Sequence, residues 1–301
     1  MNTHDCSLVV FTILAQMSVG SFVVLSIARF LAVRKAGQVE ADRLTDRALL
    51  AIGPVLVLGL LASLFHLGSP LNAYNAIGNI GSSWLSREIF SGVAFAGLGA
   101  VFAFMQWRKI GSTSLRNVLV IVTALVGLGL VYSMSQVYLL RTVAVWDTVL
   151  TPVSFFATTF LLGGLAVGAA LVANYAYVQR KNPGCAEVQC VLERSTLRWI
   201  SMVSIALLGV EFVVIPLYVS YLATSAGSEV IAGTFNTLLI ARLVLVFLGA
   251  GLFAAVVYRN AVSAGRERIM GYWTYGAFAL VFISEVIGRF LFYATHTGFT
   301  L

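Results

Sequence analysis

Residues 8–33 read LVVFTILAQMSVGSFVVLSIARFLAV, an apolar run in which Arg29 is the single charged residue. The hydrocarbon layer of a bilayer is about 30 Å thick, so a helix needs roughly 20 apolar residues to cross it. Such a segment is helical because lipid offers its backbone N–H and C=O groups no hydrogen-bond partners. The whole protein shares this character, with 59% hydrophobic residues, 10% charged residues and a mean hydropathy of +0.94. These values exceed those of a soluble globular domain and predict a protein embedded in lipid.

Eight stretches of the sequence are long and apolar enough to span the membrane. We place them at about residues 8–33, 47–66, 88–107, 116–140, 151–177, 196–224, 237–258 and 272–294. The connections between them are too short to fold as a globular domain with its own core. The sequence therefore predicts an all-α integral membrane protein, a bundle of eight transmembrane helices that forms one transmembrane domain over residues 1–301.

Lys and Arg are distributed unevenly between the two ends of these spans. The connections after spans one, three, five and seven hold fourteen of them, namely Arg34, Lys35, Arg43, Arg47, Arg108, Lys109, Arg116, Arg180, Lys181, Arg194, Arg198, Arg259, Arg266 and Arg268. The termini and the remaining connections hold two, Arg87 and Arg141. Because basic residues near span ends stay on the cytoplasmic side, both termini are predicted to lie on the outer, periplasmic side. The net charge of +7 is then a topology signal, and no nucleic-acid partner is needed to explain it.

Several ionisable side chains lie inside the spans or at their ends. An Arg or Asp at a helix centre costs about 2.5 to 3.5 kcal/mol on insertion, so such residues normally face the bundle interior and find partners. Arg29 lies toward the cytoplasmic end, where a snorkelling side chain is expected. By the predicted topology, five others lie toward the outer face and form a polar cluster there: His66, Glu88, Arg242, Glu285 and Arg289.

Helical spacing orients three members of this cluster. Glu285 and Arg289 are four residues apart, so they share a helix face and are spaced for an intrahelical ion pair. Small residues let helices approach closely in lipid. Glu88 begins a row of them at steps of four, which continues with Gly92, Ala96 and Ala100. We therefore expect Glu88 to point into the bundle.

Three stretches of the sequence share their residues and order with one known family. The first runs through His66, Leu67, Gly68, Ser69, Pro70, Ala73, Asn75 and Gly81 to the segment WLSREI at 84–89. The second holds Val137, Tyr138, Thr142, Val143, Trp146 and the residues from Thr151 to Phe156. The third is EVIGR at 285–289, followed by Phe292, Tyr293 and His296. Together, along essentially the whole sequence, they resemble the membrane anchor subunit of the bacterial dimethyl sulfoxide reductase family.

This resemblance implies a heterotrimer in the bacterial inner (cytoplasmic) membrane. Its anchor binds menaquinol and delivers the electrons to an iron-sulfur subunit with four clusters, which docks together with a molybdopterin catalytic subunit. The anchor holds no haem and no metal, since molybdopterin and the iron-sulfur clusters belong to the partner subunits. The family's histidine for quinol oxidation falls on His66, and its acidic residue before span three falls on Glu88.

The chemistry of quinol oxidation suits the same residues. A quinol releases two electrons and two protons, and a base within hydrogen-bond reach helps a hydroxyl proton to leave. His66 suits that task, and Glu88 can pass the proton on toward water. Arg242, Glu285 and Arg289 are candidate quinol-binding residues, because a guanidinium binds an oxygen by charge-assisted hydrogen bonds. The alternative for Glu285 and Arg289 is a structural ion pair.

Other functions fit parts of the sequence. One alternative is the anchor of a quinol-linked molybdoenzyme with a different S-oxide, N-oxide or oxyanion acceptor. A haem-bearing anchor uses paired histidines as iron ligands, and the sequence holds only three histidines, His4, His66 and His296. A secondary transporter is the alternative of another class, with Glu211, Glu285 and Arg289 along a path, although no internal repeat supports it.

The topology can be tested with reporter fusions. Since the positive-inside rule sets orientation, a reporter that is active only outside the cytoplasm should be active when fused after Leu301, and one fused in the connection after span three should be inactive. A C-terminal fusion that is active only in the cytoplasm would contradict the predicted orientation.

Overall fold

The computed structural model describes residues 3–64, 78–181, 187–225, 233–251, 254–256, 259 and 267–297. Within these ranges the regular secondary structure is helical, with no β-strand. Eight helices in them are long and apolar enough to cross a membrane. The prediction of an all-α bundle with eight spanning helices is thereby confirmed.

The helices in the described ranges extend over most of the sequence. Their bounds are α1 Thr3–Ala36, α2 Gln38–Leu64, α3 Trp84–Arg108, α4 Thr113–Val137, α5 Leu150–Lys181, α6 Glu187–Ser225, α7 Thr234–Val246 and α8 Glu267–Thr297. A π-helical segment, Phe247–Gly251, follows α7 directly. Several helices extend beyond the spans predicted for them, because a hydropathy pattern marks the part that crosses lipid and not the helical turns that continue into water.

The connection between α1 and α2 is a single residue, Gly37. Its φ of +83° lies in the left-handed region, which glycine adopts without the steric cost of a Cβ. Its N–H still donates to the Val33 carbonyl oxygen at 2.9 Å, as at many helix ends. Helix α2 therefore begins at Gln38, whereas the sequence placed the second span from about residue 47.

Helices α1 and α5 form the centre of the described bundle. The apolar windows of these two helices are more deeply buried than those of the other six. Helix α1 contacts α2, α4, α5, α6 and α8. The remaining helices thus pack around an α1–α5 pair.

Two glycines bring the backbones of α1 and α5 into contact. A Cβ added at Gly20 would overlap the Thr159 carbonyl oxygen, and one added at Gly163 would overlap the backbone of Gly20 and Ser21. Close approach at small residues is a common way for helices to pack in lipid, where dispersion contacts and hydrogen bonds replace the hydrophobic effect. The close crossing of α1 and α5 therefore requires glycine, which has no side chain, at both positions.

Helix α3 buries a different stripe from the predicted row of small residues. Glu88 and Gly92 are buried as expected, and Ala96 is half-buried, but Ala100 is exposed. The buried stripe continues instead through Phe95, Phe102 and Gln106. Steps of four residues drift around a helix with 3.6 residues per turn, so the row turns away from the bundle after two turns.

Arg29 is buried and paired, so the expectation that it snorkels was wrong. Its side chain lies 3.3 Å from Asp42 and donates to Asn117 at 2.9 Å. Lys109 reaches the same Asp42 at 3.0 Å and Asp46 at 2.8 Å. Acidic residues of α2 thus bind Arg29 of α1 and Lys109 at the end of α3, where these helices meet the predicted cytoplasmic connections. We call this end of the bundle the basic end.

The close approach at Gly20 predicts a stability difference between two glycine substitutions. Gly20→Ala should lower the thermal unfolding temperature of the purified protein, because over-packing of a tight contact costs about 1–3 kcal/mol. Gly276→Ala is the matched control, since no atom lies within 4 Å of a Cβ at that position. Equal unfolding temperatures for the two variants would contradict a tight α1–α5 contact.

Candidate functional site

Helices α5, α6, α7 and α8 enclose a cleft toward the end of the bundle opposite to the basic end. It holds about 620 Å³ of atom-free space, part of which is open to the surroundings. Its apolar walls include Leu150, Val214, Ile215, Phe235, Leu239, Leu291 and Phe292. Its polar lining comprises Ser154, Thr158, Tyr218, Arg242, Glu285 and Arg289. We call it the α5–α8 cleft.

Arg242 of α7 lies between two carboxylates from different helices. Its Nη2 atom is 3.0 Å from Oε2 of Glu211 on α6 and 3.6 Å from Oε2 of Glu285 on α8. Gly288 makes room for the guanidinium, because a Cβ there would lie 2.5 Å from its Cζ and Nε atoms. The hydroxyl of Ser284 also donates to the Arg242 carbonyl oxygen at 2.9 Å. Arg242 thereby joins α6, α7 and α8 inside the bundle.

Glu285 is almost fully buried and is held by one of its two oxygens. Thr158 of α5 donates to Oε2 at 2.7 Å, and this same atom faces Arg242. Only 2% of the residue's surface is exposed. One oxygen of the carboxylate is therefore fixed between two helices, and the other, Oε1, has no hydrogen-bond partner among the described residues.

Arg289 is held from the side of α1 and α5. Its Nη2 atom donates to Oε1 of Gln16 at 2.9 Å, and its guanidinium carbon lies 3.7 Å from the centre of the Phe155 ring. The amide of Gln16 in turn donates to the Phe155 carbonyl oxygen at 3.2 Å. A cation over an aromatic face is stabilised by the ring quadrupole, so the amide and the ring together stabilise the buried charge.

The predicted intrahelical ion pair of Glu285 with Arg289 is therefore wrong. Spacing of four residues places both side chains on one face, but each binds partners on neighbouring helices. Glu285 faces Thr158 and Arg242, whereas Arg289 faces Gln16 and Phe155. In a bundle interior, a charged side chain can bind residues of neighbouring helices instead of a residue four positions away on its own helix.

Four polar atoms of this charged group have no hydrogen-bond partner among the residues that the structure describes. They are Oε1 of Glu211, Oε1 of Glu285, Nε of Arg242 and Nε of Arg289. Burial of such atoms without a partner is unfavourable, and most buried polar atoms in proteins are satisfied by protein or by bound molecules. Beside a cleft, this arrangement suits a ligand with both a donor and an acceptor.

An aromatic cluster forms the wall of the cleft at Phe292. The Phe292 ring stacks on Trp146 with centroids 5.3 Å apart, and the rings of Tyr138 and Phe292 form a T-shaped pair with centroids 5.4 Å apart. Trp146 donates its Nε1 hydrogen to the Phe292 carbonyl oxygen at 3.0 Å. Behind the wall, the hydroxyls of Tyr138 and Tyr293 lie 2.9 Å apart. The cluster joins the α4–α5 connection to the end of α8.

The structure brings together three of the five predicted site residues. Arg242, Glu285 and Arg289 line the α5–α8 cleft. Glu88 is buried near the start of α3 and does not line it. His66 lies outside the described residues.

Several residues of this site were not predicted from the sequence. Gln16 binds Arg289, Thr158 binds Glu285, and Gly288 accommodates Arg242. Gln16 could have been predicted as a polar contact inside the bundle, because it is the only residue with an amide side chain in the first span. Glu211 was considered as part of a transport path, but its ion pair with Arg242 was not predicted.

A metal site was not predicted, and the described ranges contain no group of three His, Cys, Asp or Glu residues that could hold a metal ion. The side chains of His4 and His296 lie outside the described part, as does His66. The expectation that the protein binds no haem therefore stays a prediction.

Comparison with known proteins identifies the family. Residues 1–295 match the model of the DMSO reductase anchor subunit family (DmsC). The sequence is 29% identical to the C subunit of the anaerobic dimethyl sulfoxide reductase of Escherichia coli, over 97% of this protein and 95% of that one. It is 27% identical to the YnfH subunit of an anaerobic dimethyl sulfoxide reductase of the same organism, with the same coverage of both proteins. A match to the C subunit from Haemophilus influenzae is 34% identical but covers 57% of this protein and 61% of that one.

No solved structure matches the protein. The family match and the two Escherichia coli relatives cover the first span, the cleft helices and the aromatic cluster alike. It follows that this multi-span membrane protein belongs to the family of DMSO reductase anchor subunits.

Proposed function

We propose that this protein anchors a dimethyl sulfoxide reductase-like molybdoenzyme in the bacterial inner membrane and oxidises menaquinol for it. Electrons pass from the quinol to a four-cluster iron-sulfur subunit and then to a molybdopterin catalytic subunit. The observation that carries the proposal is the α5–α8 cleft, where Arg242, Glu285 and Arg289 present buried polar atoms among apolar walls.

The charge balance of the cleft favours a neutral ligand. Arg242 and Arg289 offset Glu211 and Glu285, so an anionic or cationic ligand would add a net charge to a buried, low-dielectric site. A quinol is neutral, and each hydroxyl can donate to a carboxylate while its oxygen accepts from a guanidinium. Apolar residues such as Leu239 and Leu291 suit the ring and the start of the isoprenoid tail.

Two further residues are proposed to handle protons. The resemblance assigns His66 and Glu88 to the family's functional histidine and acidic residue. Glu88 is 8% exposed and lies in the first turns of α3, at the end of that helix opposite to Lys109 and the basic end. We propose that His66 accepts a quinol hydroxyl proton and that Glu88 passes it toward the periplasm.

The proposed orientation places the cleft toward the periplasm. Both termini lie on that side, and the basic end faces the cytoplasm, as the distribution of Lys and Arg favours. The iron-sulfur and molybdopterin subunits would then dock on the periplasmic face, within reach of electrons from the cleft. The same arrangement suits an anchor for another S-oxide, N-oxide or oxyanion reductase, since acceptor choice lies in the molybdopterin subunit.

A secondary transporter is less well supported than a quinol-oxidising anchor. Its strongest feature was Glu211 in the middle of α6, an acidic residue that is 1% exposed. The ion pair of Glu211 with Arg242 at 3.0 Å explains this burial without a transport path.

The proton-accepting role of His66 can be tested in the intact complex. His66→Ala should lower menaquinol-dependent turnover by about 10²- to 10⁴-fold, the usual contribution of one general base. Reduction of the terminal acceptor with a soluble dye donor should persist, because the partner subunits are unchanged. Glu88→Gln should have a smaller effect, since water can replace a proton acceptor near the membrane surface. Near-normal quinol oxidation by an intact His66→Ala complex would remove His66 from the mechanism.

The location of the quinol can be tested by filling the cleft. Ser154→Phe adds an aromatic ring to the cleft lining without removing a charge, so KM for menaquinol should rise while dye-dependent activity persists. Val153→Phe is the matched control, because Val153 is exposed on the outer surface of the same helix. Equal KM values in both variants would show that the quinol binds outside the α5–α8 cleft.

A further inference from the structure

We infer that Glu285 accepts one of the two quinol hydroxyl protons, and that Glu211 keeps Arg242 paired while Glu285 is protonated. This inference rests on the proposed function, because it requires a quinol in the α5–α8 cleft. It assigns different roles to two buried carboxylates that share one guanidinium.

The first support is the unequal position of the two carboxylates. Glu285 lines the α5–α8 cleft, whereas Glu211 does not. Glu285 holds Thr158 and Arg242 with Oε2, which leaves Oε1 without a hydrogen-bond partner in the described part of the protein. Of the two carboxylates, Glu285 is therefore the one beside a ligand in the cleft, and it is already fixed in place by Oε2.

The second support is the counter-charge that remains after proton transfer. If Arg242 had one carboxylate partner, protonation of that partner would leave a buried guanidinium without an opposite charge, which is strongly unfavourable. Glu211 lies closer to Arg242 than Glu285 does, at 3.0 Å against 3.6 Å. The Arg242–Glu211 pair therefore persists when Glu285 becomes neutral.

The third support concerns the other charged group at the cleft. Arg289 is held by Gln16 and by the Phe155 ring, and neither contact involves Glu285. Protonation of Glu285 thus breaks neither of these contacts. When Glu285 becomes neutral, Arg289 keeps its contacts with Gln16 and Phe155, and Arg242 keeps its ion pair with Glu211.

The reaction balances with the partners already proposed. One quinol O–H bond breaks, and its proton forms an O–H bond at Oε1 of Glu285. The second hydroxyl proton goes to the acceptor proposed above, His66. Both C–O bonds become carbonyl bonds, and the two electrons pass to the iron-sulfur subunit. Glu285 then releases its proton before the next quinol reacts.

The test compares three Glu→Gln variants in the purified heterotrimer. Glu285→Gln should lower kcat for menaquinol by about 10²- to 10⁴-fold with little change in KM, because the amide can still accept from Thr158 but takes up no proton. Glu211→Gln should also lower kcat, since Glu285 becomes the remaining counter-charge beside Arg242. Glu193→Gln is the matched control, because Glu193 is another buried carboxylate of α6 that lies toward the basic end. Its kcat should equal that of the wild-type complex.

Conservative variants separate these roles from a structural one. Glu211→Asp should restore part of the kcat lost in Glu211→Gln, because it restores the charge beside Arg242. Copurification of the three subunits and dye-dependent acceptor reduction should persist in every variant, which shows that the heterotrimer is assembled. Glu285→Gln with an unchanged kcat would overturn the inference. An unchanged KM in Ser154→Phe would also overturn it, because the quinol would then bind outside the α5–α8 cleft. By contrast, a wild-type complex that oxidises no quinol would overturn the proposed function itself.

Discussion

The ion pair of Arg242 with Glu211, which extends to Glu285, is the interaction on which the cleft side of the protein depends. It connects α7 to α6 at 3.0 Å and to α8 at 3.6 Å, inside the bundle. A buried charge that loses its partner is costly in a low-dielectric medium, so the three helices are held to one arrangement. The same group lines the cleft at Arg242 and Glu285, and the stability of the bundle and the chemistry of the site therefore rest on shared residues.

The spans of the protein were predictable because lipid imposes a strong local rule. Backbone hydrogen bonds must close within each segment, so length and hydropathy were enough to find eight helices. The finer bounds were less predictable, as α2 shows by beginning at Gln38 directly after Gly37. The burial of Arg29 was not predicted for a similar reason. Its partners Asp42 and Asn117 belong to other helices, so the sequence of the first span does not reveal them.

The site was predictable in its residue types but not in its pairings. Arg242, Glu285 and Arg289 stood out because charges are rare in spans, and the structure brings them to one cleft. Their partners Thr158, Gln16 and Glu211 belong to other helices, and only the packing of α1, α5 and α6 places them within hydrogen-bond distance. Spacing along one helix predicted a Glu285–Arg289 pair, because it contains no information about neighbouring helices.

The aromatic cluster fixes the wall of the cleft at Phe292. The Phe292 ring stacks on Trp146, and the Trp146 indole N–H donates to the Phe292 carbonyl oxygen, so the side chain and the backbone of Phe292 are both held. Behind the wall, the hydroxyls of Tyr138 and Tyr293 lie 2.9 Å apart, and the Tyr293 hydroxyl also reaches that of Thr12 on α1 at 3.5 Å. Because a hydroxyl both donates and accepts, these buried polar groups satisfy one another. The cluster therefore connects the α4–α5 connection and α1 to the end of α8, the helix that carries Glu285 and Arg289.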